Sequence, residues 1–256
     1  MKIIKVDNKP FHELLYRTTG DKGQETFITL PFFKVQVDSM PEGVNSFVAT
    51  SDLQGRELNK ESNRLVGEAV AEELILLQEL DEIPSIDLIL LAGDLYDYPE
   101  LGKRGGSGIV TSVWNAFAER FKHTIGVHGN HDIVEDELLN SNINILDGDV
   151  IDFHGLRLGG VGGIIGRSDR HQRKTEDHFT KALKSVTKKD PDITLLHQGP
   201  SDNVNEQLGQ EFIHQHFEKN GDGLVIFGHC HWDVPYIEIG DNQVLNVDNR
   251  LYLFTQ

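Results

Sequence analysis

The sequence predicts an α/β domain of packed β-sheets with helices on the outside, and three features point to this fold class. Strand and helix patterns alternate from residue 46 onward and give way to a run of strands at the end of the chain. Apolar runs such as Ile86–Leu91 are typical of strands that are covered on both faces. The length of 256 residues is close to the upper limit of one hydrophobic core, so one domain is the default and two are possible.

The first 45 residues differ from the rest of the chain. A polar turn at 18–23 precedes an alternating run from Phe27 to Val37, which is typical of strands. We therefore predict a β-rich N-terminal extension, residues 1–45, packed on a main domain of residues 46–256. The extension has no motif that can be interpreted, and it is either an extra hairpin on the sheet edge or a dimer contact.

Helical and strand periodicity predict the remaining elements in order. The helix over 61–80, for example, has apolar side chains at Leu65, Ala69 and Leu74 with Glu and Gln between them. The predicted helices cover 61–80, 110–121, 175–188 and 205–219. The predicted strands cover 47–49, 86–91, 124–127, 150–153, 156–160, 193–196, 224–227, 234–239, 243–247 and 250–254.

The net charge of −17 disfavours duplex nucleic acid as a partner, because proteins that bind it usually carry a basic face. A phosphate-bearing ligand would need a local source of positive charge, either bound metal ions or a small cluster of Arg and Lys. The single cysteine, Cys230, excludes an internal disulfide framework and fits a reducing compartment, which predicts a cytoplasmic protein. The sequence has no long apolar stretch and no signal-peptide pattern, so we expect neither membrane insertion nor secretion.

Five predicted strands each end in a side chain that can bind a hard or borderline metal ion. In open α/β sheets, ligands bind beyond the carboxyl ends of the strands, so these side chains can converge. Carboxylate, amide and imidazole donors together suit Mn²⁺, Fe or Zn²⁺ better than Ca²⁺. A lone aspartate at a strand end is more often a turn former, but five such ends in one chain favour metal binding. The side chains are Asp52, Asp94, Asn130, His197, and His229 with His231.

Five short segments surround these side chains and follow one another along the chain. They are Asp52-Leu53-Gln54, Gly93-Asp94-Leu95-Tyr96-Asp97, Gly129-Asn130-His131-Asp132, a lone His197, and Gly228-His229-Cys230-His231. Together they resemble the calcineurin-like metallophosphoesterase family, whose pattern is D-x-H, G-D-x-x-D, G-N-H-[DE], H and G-H-x-H, each on a loop after a strand. The resemblance spans residues 46 to about 250, and it implies a four-layer α/β/β/α sandwich of two mixed β-sheets flanked by helices.

The resemblance also implies a pair of divalent metal ions, with Mn²⁺ preferred and Fe, Zn²⁺ or Ni²⁺ as alternatives. One ion would bind Asp52, Asp94 and His231, with Gln54 in the position where the family usually has histidine. The other would bind Asp94, Asn130, His197 and His229, so that Asp94 bridges the two ions. Because an amide oxygen is a weaker donor than an imidazole, Gln54 predicts that the first ion is held less tightly or is more exposed.

The family places the histidine of its third motif beside the leaving-group oxygen. Carried over to this chain, His131 would stabilise or protonate the departing alkoxide, and Asp97 would orient its imidazole. A hydroxide that bridges the two ions would attack phosphorus in line. The implied activity is hydrolysis of a phosphodiester or a phosphomonoester in a small or nucleotide-type substrate. Gln54 also motivates an alternative, a non-catalytic binding or scaffold protein of the same fold, which the presence of His131 and Asp97 disfavours.

Two basic residues are candidates for contacts with substrate phosphate. Arg104 lies in the glycine-rich segment 103–108, which is either a flexible cover over the site or a solvated connector. Arg167 follows a second glycine-containing segment, 163–166, and is a comparable candidate. The natural substrate and the oligomeric state stay open at this stage.

Overall fold

An all-strand N-terminal segment leads into alternating strands and helices in the computed structural model, which describes residues 1–103 and 105–256. The strands are β1 (Ile3–Val6), β2 (His12–Thr19), β3 (Glu25–Val37), β4 (Phe47–Thr50), β5 (Leu88–Leu91), β6 (Gly108–Ile109), β7 (His123–Gly126), β8 (Asp132–Ile133), β9 (Ile143–Ile145), β10 (Asp149–Phe153), β11 (Leu156–Val161), β12 (Ile164–Ile165), β13 (Arg173–Lys174), β14 (Ile193–Gln198), β15 (Leu224–Gly228), β16 (Tyr236–Ile239), β17 (Asn242–Asn246) and β18 (Leu251–Thr255). The helices are α1 (Val66–Glu79), α2 (Thr111–Arg120), α3 (Glu176–Thr187) and α4 (Glu211–Phe217), with a 3₁₀ turn at Asp136–Leu138. Within the described ranges, none of these helices has the length and apolar character needed to cross a membrane.

The first sheet has the strand order β1-β3-β18-β4-β5-β7-β9, and β2 pairs with β3 as a hairpin. Strands β4, β5, β7 and β9 are parallel, and β18 pairs antiparallel with β4 and parallel with β3. In the register of β4 on β5, Thr50 lies opposite Leu91, so the two strands end at the same edge. The sheet therefore places the loops that follow β4, β5 and β7 side by side.

The second sheet has the strand order β10-β11-β14-β15-β17-β16. Its four central strands are parallel, and the two outer strands pair antiparallel with their neighbours. Gln198 at the end of β14 lies opposite Gly228 at the end of β15, so these strands also end together. Two further pairings, β6 with β8 and β12 with β13, are parallel and only two residues long, and the sequence pattern did not predict them.

Alternating side chains of the central strands face different layers, because successive residues of a strand point to opposite faces. In β5, Ile89 and Leu91 pack beneath α1 and α2, whereas Leu88 and Leu90 pack between the two sheets. The residues of β15 alternate in the same way between the inter-sheet core and the cluster beneath α3 and α4. Three apolar interfaces thus separate helix, sheet, sheet and helix layers, which confirms the predicted α/β/β/α sandwich of two mixed sheets.

The N-terminal residues 1–45 contribute strands to the first sheet. Strand β3 pairs with β1, with β2 and with β18, where Phe32 lies opposite Leu251. Leu30 and Phe32 are fully buried in the cluster beneath α1 and α2. Hydrogen bonding and packing therefore join this segment to the main sheet, and the division of the chain at residue 45 stays a prediction.

The helix predicted over 61–80 begins later, at Val66. The preceding residues fold back on themselves instead, since the N–H of Glu57 donates to the carbonyl of Arg64. The guanidinium of Arg64 then forms hydrogen bonds with the carboxylates of Glu57 and Glu72, both at 2.8 Å. These ion pairs hold the segment in a loop although its apolar spacing suits a helix.

The helix predicted over 205–219 is shorter than expected and covers only Glu211–Phe217. Main-chain hydrogen bonds in both directions between Asp202 and Gln207 close a tight loop before it. Because these backbone groups are paired with each other, they are not available for the first turns of a helix.

Candidate metal centre

The loops after parallel strands of both sheets converge at one edge of the sandwich. In the first sheet, Asp52 follows β4, Asp94 follows β5 and Asn130 follows β7. In the second sheet, His197 lies near the end of β14 and His229 follows β15. The donor atoms of Asp94, His197 and His229 all lie within 4.8 Å of one another. The face-to-face packing of the sheets thus brings together predicted ligands from both.

Three of the predicted ligands have a left-handed backbone, which residues other than glycine adopt infrequently. The φ angle is 54° at Asp52, 56° at Asp94 and 70° at His229. Such a conformation raises the free energy by on the order of 1–3 kcal/mol, and it persists only where surrounding contacts impose it. Three of the eleven non-glycine residues with a positive φ in the described part of the chain are therefore predicted ligands at strand ends.

His197 occupies the centre of the group. It is fully buried, and its Nδ1 lies 2.8 Å from the carbonyl oxygen of Ala92, which leaves Nε2 facing the other donors. Nε2 is 3.3 Å from Asp94 Oδ2 and 3.3 Å from Asn130 Oδ1. Donors held about 2.1 Å from one ion lie roughly 3–4 Å apart, so this donor set fits a divalent cation with small adjustments.

Burial and the contact between Asp94 and His197 determine the charges in this group. Burial opposes ionisation of Asp94, but the neighbouring His197 outweighs it and lowers the pKa of Asp94 to about 2. Burial likewise opposes a charge on His197, yet Asp94 raises the pKa of this imidazole to about 10. Burial and then the proximity of His197 lower the pKa of His229 to about 4. Without a bound cation, the group therefore holds a carboxylate, an imidazolium and a neutral imidazole.

Asp132 supports the site, although the sequence had suggested no role for it. Asp132 is fully buried, and its carboxylate accepts hydrogen bonds from the backbone N–H groups of Asp94 and Gly129 at 2.8 Å and of Leu95 at 2.7 Å. Burial and then the charge of Asp94 raise the pKa of Asp132 to about 6. This carboxylate joins the loop after β5 to the loop after β7. Its position in the third motif was visible in the sequence, but contacts between separate loops leave no local pattern.

A second group of predicted ligands surrounds Asp52. Its Oδ2 accepts hydrogen bonds from Ser51 Oγ at 2.7 Å and from the His229 N–H at 2.9 Å. Burial and then the nearby carboxylate of Asp248 raise the pKa of Asp52 well above its usual range. Gln54 donates its Nε2 to Asp94 Oδ2 at 3.3 Å, so the amide nitrogen, and not the oxygen, faces the predicted bridging ligand.

The structure does not bring His231 into this group. Its side chain is half-exposed, its Nδ1 lies 3.3 Å from Asp248 Oδ1, and Arg250 Nη2 donates to its Nε2 at 2.9 Å. Alternation along an extended segment predicts that His229 and His231 point to the same side. The left-handed φ of 70° at His229 breaks the extended geometry on which that prediction depends, so the two imidazoles have different surroundings.

His131 lies beside the group, with Nε2 3.9 Å from Asp94 Oδ2. Its Nδ1 is buried and has no hydrogen-bond partner within residues 1–103 and 105–256. The carboxylate of Asp97 accepts a hydrogen bond from the Tyr98 N–H at 2.8 Å, and its Oδ2 lies 3.3 Å from Thr18 Oγ1. Among the described residues no hydrogen bond joins Asp97 to His131, so the predicted orienting contact is not formed in this structure.

A cavity of about 310 Å³ opens over the group and includes His131 and Asp97 in its wall. Predicted ligands form one part of the lining, and residues that the sequence did not single out form the rest. Three of these come from the hairpin of β2 and β3, which therefore contributes to the site. The additional lining residues are Tyr16, Thr18, Ile28, Tyr96, Asp248 and Asn249, together with Gly105 of the glycine-rich segment 103–108.

Arg167, one of the two predicted phosphate contacts, does not line the cavity as the described residues define it. Arg167 is exposed, and its guanidinium forms hydrogen bonds with the carboxylate of Asp169 at 3.1 and 2.6 Å. Because Asp169 lies two residues further along the same exposed turn, it neutralises Arg167 locally and away from the cavity. Arg104 lies outside the described residues.

The sandwich, with a group of side chains that could hold a metal ion at its edge, fits the class of metal-dependent hydrolases. A family model described as calcineurin-like phosphoesterase matches residues 46–233. The chain therefore belongs to the calcineurin-like phosphoesterase family. At the level of that family, it is a metal-dependent hydrolase of phosphate esters.

This chain is similar to several solved structures at low sequence identity. One has a TM-score of 0.55 and 13% identity, over 82% of this chain and 91% of its own. Phosphopantetheinyl hydrolase from Mycobacterium tuberculosis has a TM-score of 0.47 and 15% identity, over 80% of this chain and 90% of its own. The sulfate thiohydrolase SoxB of Thermus thermophilus, in complex with glycerol, has a TM-score of 0.44 and 12% identity, over 83% and 53% respectively. No curated protein matches the sequence.

Proposed function

We propose that this chain is a binuclear metal-dependent phosphoesterase that hydrolyses a small or nucleotide-type phosphate ester. The observation that carries the proposal is the group of Asp94, His197 and His229, whose donor atoms lie within 4.8 Å of one another at a cavity of about 310 Å³. Membership of the phosphoesterase family supports ester hydrolysis as the reaction. Mn²⁺ is the proposed metal because it accepts mixed carboxylate, amide and imidazole donors, with Fe, Zn²⁺ and Ni²⁺ as alternatives.

Two overlapping sets of donors would hold the ions. The buried set is Asp94, Asn130, His197 and His229, and the second set is Asp52 and Asp94 with Gln54 beside them. His231 would join the second set if its ring left Arg250, which donates a hydrogen bond to its Nε2. Asp94 lies between the sets, and its two carboxylate oxygens would allow it to contribute to both.

When bound, two divalent ions would activate water as a nucleophile near neutral pH and neutralise charge on the phosphoryl oxygens. The imidazole of His229, with a pKa of about 4, is neutral at pH 7 and ready to bind a cation. His197 must first lose its proton from Nε2. His131 lines the same cavity, and transfer of a proton from its Nε2 to the leaving oxygen would assist cleavage of the ester.

We also propose that the protein acts in the cytoplasm on a small ester. Cys230 is the only cysteine, and a chain without disulfides fits a reducing compartment. The net charge of −17 argues for a small substrate, since duplex nucleic acid is bound by basic surfaces.

An assay of the purified protein with Mn²⁺ against bis-p-nitrophenyl phosphate and p-nitrophenyl phosphate tests the proposal. We expect turnover of at least one ester that is abolished by a chelator and restored by Mn²⁺. The ratio of the two rates decides between a diesterase and a monoesterase. Protein that binds metal yet turns over neither ester would favour the non-catalytic scaffold of the same fold.

A further inference from the structure

The hairpin of β2 and β3 forms one wall of the cavity. Tyr16 and Ile28 are cross-strand partners in this hairpin, so their side chains share one face, and both line the cavity. Thr18 lies two residues after Tyr16 on the same face and also lines the cavity. The family match begins at residue 46, after the hairpin, so this wall lies outside the part of the chain that matches the family.

Hydrogen bonds fix the hairpin to the loop that carries the first predicted ligands. Thr18 Oγ1 donates to the carbonyl oxygen of Gln54 at 2.9 Å. The backbone N–H of Arg17 donates to the carbonyl of Arg56 at 2.8 Å, and the N–H of Arg56 donates back at 2.7 Å. A side chain at Gly55 would collide with the hairpin. The wall is therefore held at a defined distance from the metal centre.

Ile28 and Tyr96 form an apolar part of a lining that otherwise contains several carboxylates. Both are partly buried and pack against the cluster beneath α1 and α2. Tyr98 holds the Tyr96 ring edge to face, with 5.7 Å between the centroids and 76° between the planes. The ring also packs on Gly108, where a side chain would collide with it. A fixed aromatic ring and an aliphatic side chain that line the same cavity favour contact with a flat apolar group.

We propose that Ile28 and Tyr96 form a subsite for an aromatic ester group of the substrate, next to the phosphorus held at the metal centre. The inference rests on the proposed function, since it assigns the organic part of the same phosphate ester. The cavity of about 310 Å³ is at the lower end of the range for ligand pockets, which suits a phosphoryl group with one ring-sized substituent. The substrate class is therefore an aryl phosphate ester.

Binding of phenylphosphonate and methylphosphonate to the Mn²⁺-loaded protein, measured by calorimetry, tests the subsite. The two probes share the acidic group and differ only in the organic group. We expect phenylphosphonate to bind about 10-fold more tightly, which is the discrimination that an apolar pocket provides. Ile28→Ser and Tyr96→Ser should each reduce this preference towards equality. Phe27→Ser is the matched control, because Phe27 neighbours Ile28 on β3 but is 54% exposed and does not line the cavity.

Thermal unfolding of each variant shows whether it folds. If one of the two substitutions prevents folding, the other still tests the subsite. Equal affinity of the wild type for the two probes would overturn the subsite. A preference that survives both substitutions, or no binding of phenylphosphonate, would overturn it as well. The result is distinct from that of the ester assays. Preferential binding of phenylphosphonate without turnover of any ester would support the subsite and contradict the proposed hydrolase.

Discussion

The two halves of the proposed metal centre differ in how closely their donors lie together. In the buried half, the donors of Asp94, His197 and His229 lie within 4.8 Å of one another. In the other half, the amide nitrogen of Gln54 faces Asp94, and the ring of His231 is in contact with Arg250. Asp94, Asn130 and His197 are buried where the two sheets meet, whereas Gln54 is partly buried and His231 is exposed. Donors enclosed between the packed sheets are therefore held in place by the fold itself, and we expect the buried half to bind its ion more tightly.

The largest effect is expected for Asp94→Asn, because Asp94 lies between both halves. The variant should lose bound metal, and kcat/KM should fall by more than the roughly 10⁴-fold at the upper end for loss of a general acid. Metal analysis and ester kinetics measure both quantities, with Asp241→Asn at an exposed position as the control. Retention of two ions per chain in the Asp94 variant would contradict the shared role.

His131→Ala should reduce kcat by about 10²–10⁴-fold without loss of metal, because the residue is proposed to protonate the leaving oxygen and not to bind an ion. The loss should be smaller for a p-nitrophenyl ester than for an alkyl ester, since p-nitrophenolate needs less protonation as it departs. Kinetics with both esters, together with metal analysis, test this. Equal losses for the two leaving groups would argue against proton donation by His131.

Asp132→Asn should weaken Mn²⁺ binding by about 10–100-fold, the usual effect of removing a group that orients metal ligands. Its carboxylate accepts three backbone hydrogen bonds from the loops after β5 and β7. An asparagine at this position offers one acceptor oxygen in place of two, so the loops should also unfold at lower temperature. Calorimetric titration and thermal unfolding provide the two measurements, and unchanged affinity would show that the loops hold the ligands without Asp132.

Metal affinity should rise with pH by up to about tenfold per unit between pH 7 and 9. The pKa of His197 is raised to about 10 in the metal-free protein, so a cation must displace a proton from Nε2 in this range. His229, with a pKa of about 4, is already neutral in this range and releases no proton. Calorimetry in buffers of different ionisation enthalpy should detect about one proton released per chain from this pair. Affinity that is independent of pH in this window would contradict the imidazolium.

The smallest effect is expected for His231→Ala, which should change Mn²⁺ affinity by a few-fold at most. The ring is half-exposed and already occupied by Asp248 and Arg250. His229→Ala, measured by the same titration, should reduce Mn²⁺ affinity far more than His231→Ala does. If both variants lost affinity equally, the ring of His231 would have to leave Arg250 on metal binding, and the difference between the halves would disappear.

The proximity of Asp94, His197 and His229 could be predicted from the sequence, because each lies at or shortly after the end of an apolar strand. Parallel pairing of β14 with β15 places the two histidines side by side, and the packing of the two sheets against each other adds Asp94. The position of His231 could not be predicted in the same way. It depends on the backbone turn at His229 and on Arg250, which lies 19 residues further along the chain.

The N-terminal hairpin shows a second limit of sequence reasoning. Its strand character was evident from alternation, but its place beside the site was not. Strand β3 reaches the cavity because it pairs with β18 at the other end of the chain. No periodicity within residues 1–45 carries information about that partner, so the contributions of Tyr16 and Ile28 to the site became visible only in the folded chain.

The left-handed backbone at Asp52, Asp94 and His229 lowers conformational stability at positions whose side chains the proposed metal centre needs. Glycine adopts this conformation without strain, so a glycine at any of the three positions would relax the turn. The same substitution would delete a donor that the proposed reaction needs. At these three positions a relaxed turn and an intact set of donors therefore exclude each other, so a glycine substitution could add stability only by removing part of the proposed metal centre.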